Sequence, residues 1–351
     1  MPSTRNFAMG GPHVAYTNDM NSLFINPAVF GTVRQINIAE LSLGVYGDYL
    51  GMIDILESHN DPAKLAGTFS RFIRNSQGTI PMGFNLRGPI GFGGIKNGWG
   101  WGVFERVYGG TKITGSTMQA WAGADLTFNL GHSFRVLKAG THTLDVGVLG
   151  KFFSRMEVNS GVISITDLIS GGDILIDRFN YVPTTLGAGL DLGIQYRPVN
   201  ALTLGLTVHD LFSLGYVGYS DLHLNPTIGS VPPGYIGYIK PVVNLGVSYK
   251  IFNNPFISWT VMADYRDALN LLRQRDYNSR NGWLNLSVGT ELILFKHIAF
   301  RAGLHDMLPS VGMGLDLFIF KLDAAFYGKE LSNEPGRLST YAMDVGLLFR
   351  Y

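Results

Sequence analysis

The fold class this sequence predicts is all-β: a fourteen-stranded antiparallel transmembrane β-barrel with an N-terminal plug that contains a short helix. Three observations predict it. Apolar residues alternate with period two along most of the chain, as strands require. The two faces so defined differ in kind, one large and apolar, the other glycine, Ser, Thr or charge. Mostly short and mostly long connections alternate between the strands, which is how a barrel with tight turns on one side and long loops on the other is built.

Composition narrows the field first. Glycine supplies 45 of 351 residues, and charged residues are only 15% of the chain, well under the roughly 25% of soluble proteins. The net charge of +1 gives no reason to expect a nucleic-acid partner. Cysteine is absent, which excludes disulfides, thiolate metal sites and cysteine nucleophiles. There is no apolar run of about 18 residues, so no transmembrane helix is expected. No basic stretch followed by an apolar core opens the chain, so no signal peptide is visible and an exported protein would be in its mature form. A large soluble all-β protein and a transmembrane barrel remain.

Residues 1–35 do not alternate. Asn18 or Asp19 can cap a short helix, and Asn26-Pro27 would end it. Leu23, Phe24 and Ile25 are too apolar for a free tail, so this segment is expected inside the barrel as a plug. The barrel itself takes residues 36–351. Its strands are expected near 36–47, 80–95, 98–108, 118–130, 142–155, 184–197, 201–213, 240–251, 256–266, 283–294, 298–305, 310–319, 321–328 and 339–351. An even strand number suits a closed bacterial barrel. The last strand is the clearest, with Tyr341, Met343, Val345, Leu347, Phe349 and Tyr351 on one face and Ala342, Asp344, Gly346, Leu348 and Arg350 on the other. A soluble sandwich would bury the large face and expose Lys and Glu, whereas this small face is rich in glycine.

Short connections are expected at 96–98, 198–200, 252–255, 295–297 and 320–321, with 131–141 a longer member of that set. Long loops are expected at 48–79, 156–183, 214–239 and 267–282, with further connections at 109–117, 306–309 and 328–339. Trp99, Trp101, Tyr108, Tyr196, Tyr249, Trp259, Tyr265, Trp283, Tyr327 and Tyr351 fall near strand ends, where amphipathic rings favour a bilayer interface. The terminal aromatic suits a bacterial outer-membrane barrel, so the expected setting is the outer membrane and lipid bilayer of a diderm bacterium.

The stretch Met9-Gly10-Gly11 through Ala15 to Asn26-Pro27-Ala28 resembles the N-terminal hatch of FadL-type outer-membrane transporters, a family that includes PorV-like proteins and uncharacterised FadL-like paralogues. Fourteen strands is also that family's number. The resemblance implies passive uptake of a hydrophobic or amphipathic, fatty-acid-like small molecule or lipid. It implies capture between loops, passage to a pocket near the N-terminus, and exit sideways through a kinked strand. In this chain Leu65, Phe69, Phe72, Ile73 and Arg74, with Ile165 and Leu168, suit the capture step, though the same apolar faces could simply close the mouth. The glycine-rich run with Pro89, Gly91, Gly93, Gly94, Gly98, Gly100 and Gly102 is where a lateral gap is expected, since glycine and proline in a strand mark bulges or close approaches. The glycines could equally make room for the plug.

The inward parity also carries both charge signs: Asp125, Asp191, Asp264, Glu291, Asp316 and Asp344 against Lys151, Arg155, Arg197, Arg266 and Arg301. Mixed signs predict a lumen network that holds the plug rather than an ion-selective pore. His209-Asp210 and His305-Asp306 are sequence neighbours on opposite strand faces, and no serine sits in a recognisable nucleophile motif. No enzyme activity, metal or cofactor is expected. The alternative function is a docking or scaffold barrel for another envelope or secretion protein.

Overall fold

A computed structural model describes residues 2–48, 64, 67–68, 78–164, 181–221, 233–273 and 280–351. Fifteen strands form one sheet. They are β1 (Gln35–Tyr46), β2 (Thr79–Lys96), β3 (Trp99–Thr114), β4 (Thr117–Ala139), β5 (His142–Ser164), β6 (Tyr181–Val199) and β7 (Leu202–Asp221). Then come β8 (Tyr235–Tyr238), β9 (Val242–Asn253), β10 (Ile257–Tyr265), β11 (Leu286–Leu294), β12 (Ile298–His305), β13 (Leu308–Leu317), β14 (Phe320–Glu330) and β15 (Ser339–Arg350). Sequential strands pair antiparallel, and β1 pairs β15 in register Leu43↔Val345, which closes the ring. Short β8 and β9 both pair with β7 and so occupy one position. The result is a closed barrel of fourteen strand positions.

The burial pattern separates this barrel from a soluble sandwich. On β15 the large residues Tyr341, Met343 and Val345 are more than half exposed, while Ala342 and Asp344 are buried. The apolar face therefore looks outward and the small, polar face looks in, as in a bilayer-spanning barrel. No helix among the described residues is long and apolar enough to cross a membrane.

Several strands run further than their hydrophobic alternation. β3 continues to Thr114 and β4 begins at Thr117, so the connection expected at 109–117 is a turn at Gly115 and Ser116. β4 also runs through most of 131–141, to Ala139. β5 and β7 extend to Ser164 and Asp221, into the expected long loops. Conversely, Gly282–Asn285 is a 3-10 turn rather than the start of β11.

The N-terminal residues form two short helices, α1 (Thr4–Ala8) and α2 (Ser22–Ile25), then a 3-10 turn at Pro27–Gly31. Met20, Leu23, Val29, Phe30 and Val33 pack on Ile95, Phe104 and Leu149 from the inner face of the wall. Ala8 and Phe7 pack on Ala325, Tyr327 and Ala342. The dry core lies between this segment and the wall, and each such side chain contributes about 1.5–3 kcal/mol by burial. Inward glycines shape the seat. A Cβ at Gly100 would lie 3.0 Å from the Phe30 ring, and one at Gly205 would lie 2.7 Å from Val14.

Candidate functional site

Local chemistry fixes the N-terminal segment to the wall at several points. Ser3 caps α1 in a capping box with Asn6. Arg5 is buried and donates to both oxygens of Glu291, at 2.9 and 2.6 Å, and to Asn18 and Asp19 at 2.6 and 2.7 Å. The Tyr16 hydroxyl also donates to Glu291, at 2.6 Å. Burial opposes ionisation of Asp19, but the Arg5 guanidinium and the Lys321 ammonium outweigh it and hold its carboxyl below the usual range. Burial, reinforced by Glu291, pushes the Tyr16 phenol up. His13 is wholly buried; one ring nitrogen meets Asp264 and the other faces the Met9 carbonyl at 2.8 Å.

The hatch-like residues occupy specific joints. Gly10 has φ +84°, and a Cβ there would lie 2.5 Å from the Leu304 carbonyl oxygen and 2.7 Å from that of Val288. Only glycine fits both that backbone and that approach. Gly11 has φ +123° and adjoins His305, whose ring nitrogen faces the Gly10 carbonyl at 3.2 Å. Met9 is buried beside Gly303. The Asn26 side chain accepts from Ala28 N–H at 3.0 Å and donates to the Val14 and Ile194 carbonyls at 2.8 and 3.3 Å. It thereby caps the 3-10 turn that Pro27 opens and ties it to β6.

The sequence-predicted lumen charges divide into three groups. Glu291, Asp264 and Asp344 contact the N-terminal segment, at Arg5, His13 and Thr4 respectively. Arg301 joins them by bonding Glu291 and Asp323, both at 2.7 Å. Arg197, Arg266 and Asp316 pair within the wall, with Asp145, Asp306 and Arg350. Asp125, Arg155, Lys151 and Asp191 border open space. Arg106, Asp125 and Arg155 lie opposite one another on three adjacent strands, so the single buried carboxylate serves both guanidiniums.

Two cavities flank that row. The first, about 400 Å³, is bordered by Phe7, Tyr46, Tyr108, Trp121, Tyr327 and Lys329 among others. Phe7 stacks on Tyr327 at 4.5 Å, and the Lys329 ammonium sits 4.2 Å from the centre of the Tyr46 ring. The second, about 410 Å³, holds Lys151, Asp191, His209 and Asp210 with Phe24, Phe153 and Ile239. Pro2, Arg106 and Arg155 border both. The aromatic cavity has the size of a small-molecule site, with aromatic rings beside the polar groups of Arg87, Arg106, Arg155, Glu157 and Lys329. Its one sequence signal is a set of aromatics on the inward parity, where the rest of that face is small or charged.

The wall beside the first cavity is broken. Between Asn37↔Gly93 and Ser42↔Arg87 the β1–β2 ladder loses register, and so does β2–β3 between Arg87 and Gly91. β2 carries two extra residues there against β3 and one against β1. Arg87 lies behind the bulge, paired with Glu40 at 2.9 Å and donating to the Pro2 carbonyl at 3.0 Å. Of the glycine-rich run, Pro89 and Gly91 lie at this break. Gly93, Gly100 and Gly102 instead face Met20, Phe30 and Leu23; Gly94 abuts Trp101 and Ile36; Gly98 takes φ +84° in the β2–β3 turn. Leu65, Phe69, Phe72, Ile73, Arg74, Ile165 and Leu168 lie outside the described residues.

Several solved structures resemble this chain over nearly its whole length. The Ralstonia pickettii toluene transporter TbuX superposes with a TM-score of 0.51 at 12% identity, over 99% of this chain and 97% of that one. The fold is that of the FadL-type transporters. The Pseudomonas putida toluene transporter TodX aligns similarly, with a TM-score of 0.50 at 12% identity over 98% and 96% of the two chains. A Pseudomonas aeruginosa FadL homologue aligns over 100% and 97% at 14% identity, with a TM-score of 0.44. No protein-family model matches the sequence, and none of the curated proteins does. At such low identity the kinship is one of architecture.

Proposed function

We propose that this chain is an outer-membrane channel for passive uptake of hydrophobic or amphipathic small molecules of fatty-acid-like form. The N-terminal segment is the plug. Cargo enters the aromatic cavity above it and leaves sideways into the bilayer through the break in β2. The observation that carries this reading is the position of the cavity. Its lining, aromatic rings mixed with charged groups, lies beside the broken β1–β2 ladder, with Arg87, Tyr46 and the first residues of the segment at the junction.

A cargo with an apolar chain gains the burial free energy of its CH₂ groups against Phe7, Trp121 and Tyr327, about 0.8 kcal/mol for each one buried. The Lys329 ammonium, which has no carboxylate within 4.0 Å among the described residues, offers a place for a polar head. The inward polar wall keeps such a molecule from leaving through the lumen-facing charges, while the bulge supplies a stretch beside the cavity where the regular strand ladder is already interrupted. The mixed-sign ion pairs suit a structural role in seating the plug better than selection of ions.

Binding tests the reading. The full chain in detergent should bind the fluorescent fatty acid cis-parinaric acid saturably, and dodecanoate should displace it. Trp121→Ala should weaken binding roughly tenfold, the scale of one lost aromatic packing surface. Absence of saturable binding to the native chain would overturn the proposal.

A further inference from the structure

The wall has a second break, away from β2. Opposite β6, strand β7 loses register between Leu190↔Phe212 and Leu192↔Val208, so Asp191 faces three β7 residues. On its other side β7 pairs with β9 only up to His209↔Val242, and with β8 only from Leu214↔Tyr238. Between these, a single backbone bond runs from Ile239 N–H to the Ser213 carbonyl, 3.1 Å. Asp210 and Leu211 thus lack regular ladder partners on both sides, His209 lacks one on the β6 side, and Asp210 takes φ +55°, a left-handed conformation unusual for a residue with a side chain.

Side chains replace the missing ladder. The Asp210 N–H donates to the Asp191 carboxylate at 2.8 Å instead of to a strand carbonyl. The Lys151 ammonium bridges Asp191 at 2.8 Å and Asp210 at 2.7 Å. The His209 ring meets the other Asp191 oxygen at 3.0 Å. These four residues border the second cavity, and Ile239, at the β8–β9 interruption, borders it too. Outside, Leu211 and Phe212 are exposed on the apolar face. A strand bulge held by a buried ion cluster, with a cavity behind it and a lipid-type surface in front, has the parts of a closed side door.

We propose that β7 forms a second lateral exit for single-chain amphiphiles with a carboxylate head, latched by Lys151, Asp191, His209 and Asp210. This rests on the uptake reading above. The two cavities are adjacent, with Pro2, Arg106 and Arg155 in the lining of both, and the proposed route takes cargo past these side chains from one to the other. An arriving carboxylate competes with Asp191 for the Lys151 ammonium. Asp191, released from Lys151, keeps the Asp210 N–H and the His209 ring as hydrogen-bond partners, so the exchange does not leave its carboxylate without partners.

The test is photolabelling of the full chain in outer-membrane vesicles with a diazirine-bearing dodecanoate, counting only adducts that excess dodecanoate removes. Competed adducts are expected at His209–Phe212 and Ile239 as well as at Ile90–Phe92. Lys151→Met should raise the β7 adducts about tenfold, the weight of one charge-assisted hydrogen bond, and Lys151→Arg should keep them near the native level. If Lys151→Met fails to fold, the native labelling map decides alone. Competed adducts confined to Ile90–Phe92 would overturn the second exit and leave the uptake reading standing. No competed adduct anywhere would overturn both.

Discussion

Replacing Arg5 by Met should unseat the N-terminal segment and leave the barrel intact. Arg5 is the segment's most heavily bonded side chain: it makes two buried bonds to Glu291 and one part-buried bond each to Asn18 and Asp19. Breaking a buried ion pair from one side costs about 3–5 kcal/mol, because the remaining charge stays buried. The lower end applies here, since Glu291 keeps Arg301 at 2.7 Å and Tyr16 at 2.6 Å. A cost of about 3 kcal/mol raises the unseated fraction roughly 100-fold. The double variant Arg5→Met/Glu291→Gln should be no worse than the single one, since it removes the carboxylate that has lost its Arg5 partner while Arg301 keeps Asp323 at 2.7 Å. Single-channel conductance in planar bilayers reads this as a large rise in open time, with heat-modifiable gel migration confirming a folded barrel. Native-like closure in Arg5→Met, or strict additivity in the double variant, would refute the reasoning.

Other expectations follow from the same contacts. Asn26→Ala loses the Ala28 cap and two carbonyl contacts and should cost about 2–3 kcal/mol of seating, seen as greater sensitivity of cells to a large antibiotic such as vancomycin. The Asp19 carboxyl is held below its ordinary value by Arg5 and Lys321 against the cost of burial. Its contribution to seating is therefore complete above the unfolded value of about 4 and lost as pH falls through the lower bound-state value; acid should open the channel, and Asp19→Asn should flatten that part of the conductance titration. Gly91→Val would place a Cβ 2.9 Å from that of Glu40, filling the β2 break, and should lower dodecanoate uptake several-fold with normal folding.

The barrel was legible because lipid outside and a packed lumen inside reverse the usual pattern. Tyr341, Met343 and Val345 against Ala342 and Asp344 state that reversal in five residues. Strand lengths were less legible, because Gly110–Thr114 and Arg135–Ala139 keep the ladder without an apolar face to mark it. Asn26-Pro27 marked the end of the short helix correctly, since an asparagine cap and a proline at the next position are local chemistry. The glycine run was harder to apportion. A glycine that opens a wall and a glycine that admits Phe30 look alike in sequence, and only the partner across the gap separates Gly91 from Gly100. The aromatic cavity and the β7 break depend on registers between distant strands, which alternation along a single strand does not encode.

The most direct test of the account is uptake of radiolabelled dodecanoate and toluene by cells that lack their own FadL-type transporter and express this chain or its Gly91→Val variant at equal levels. The account predicts uptake of at least one probe well above the empty-vector control, and loss of most of that gain in the variant. Uptake equal to the control for both probes, with the barrel folded in the outer membrane, would contradict it.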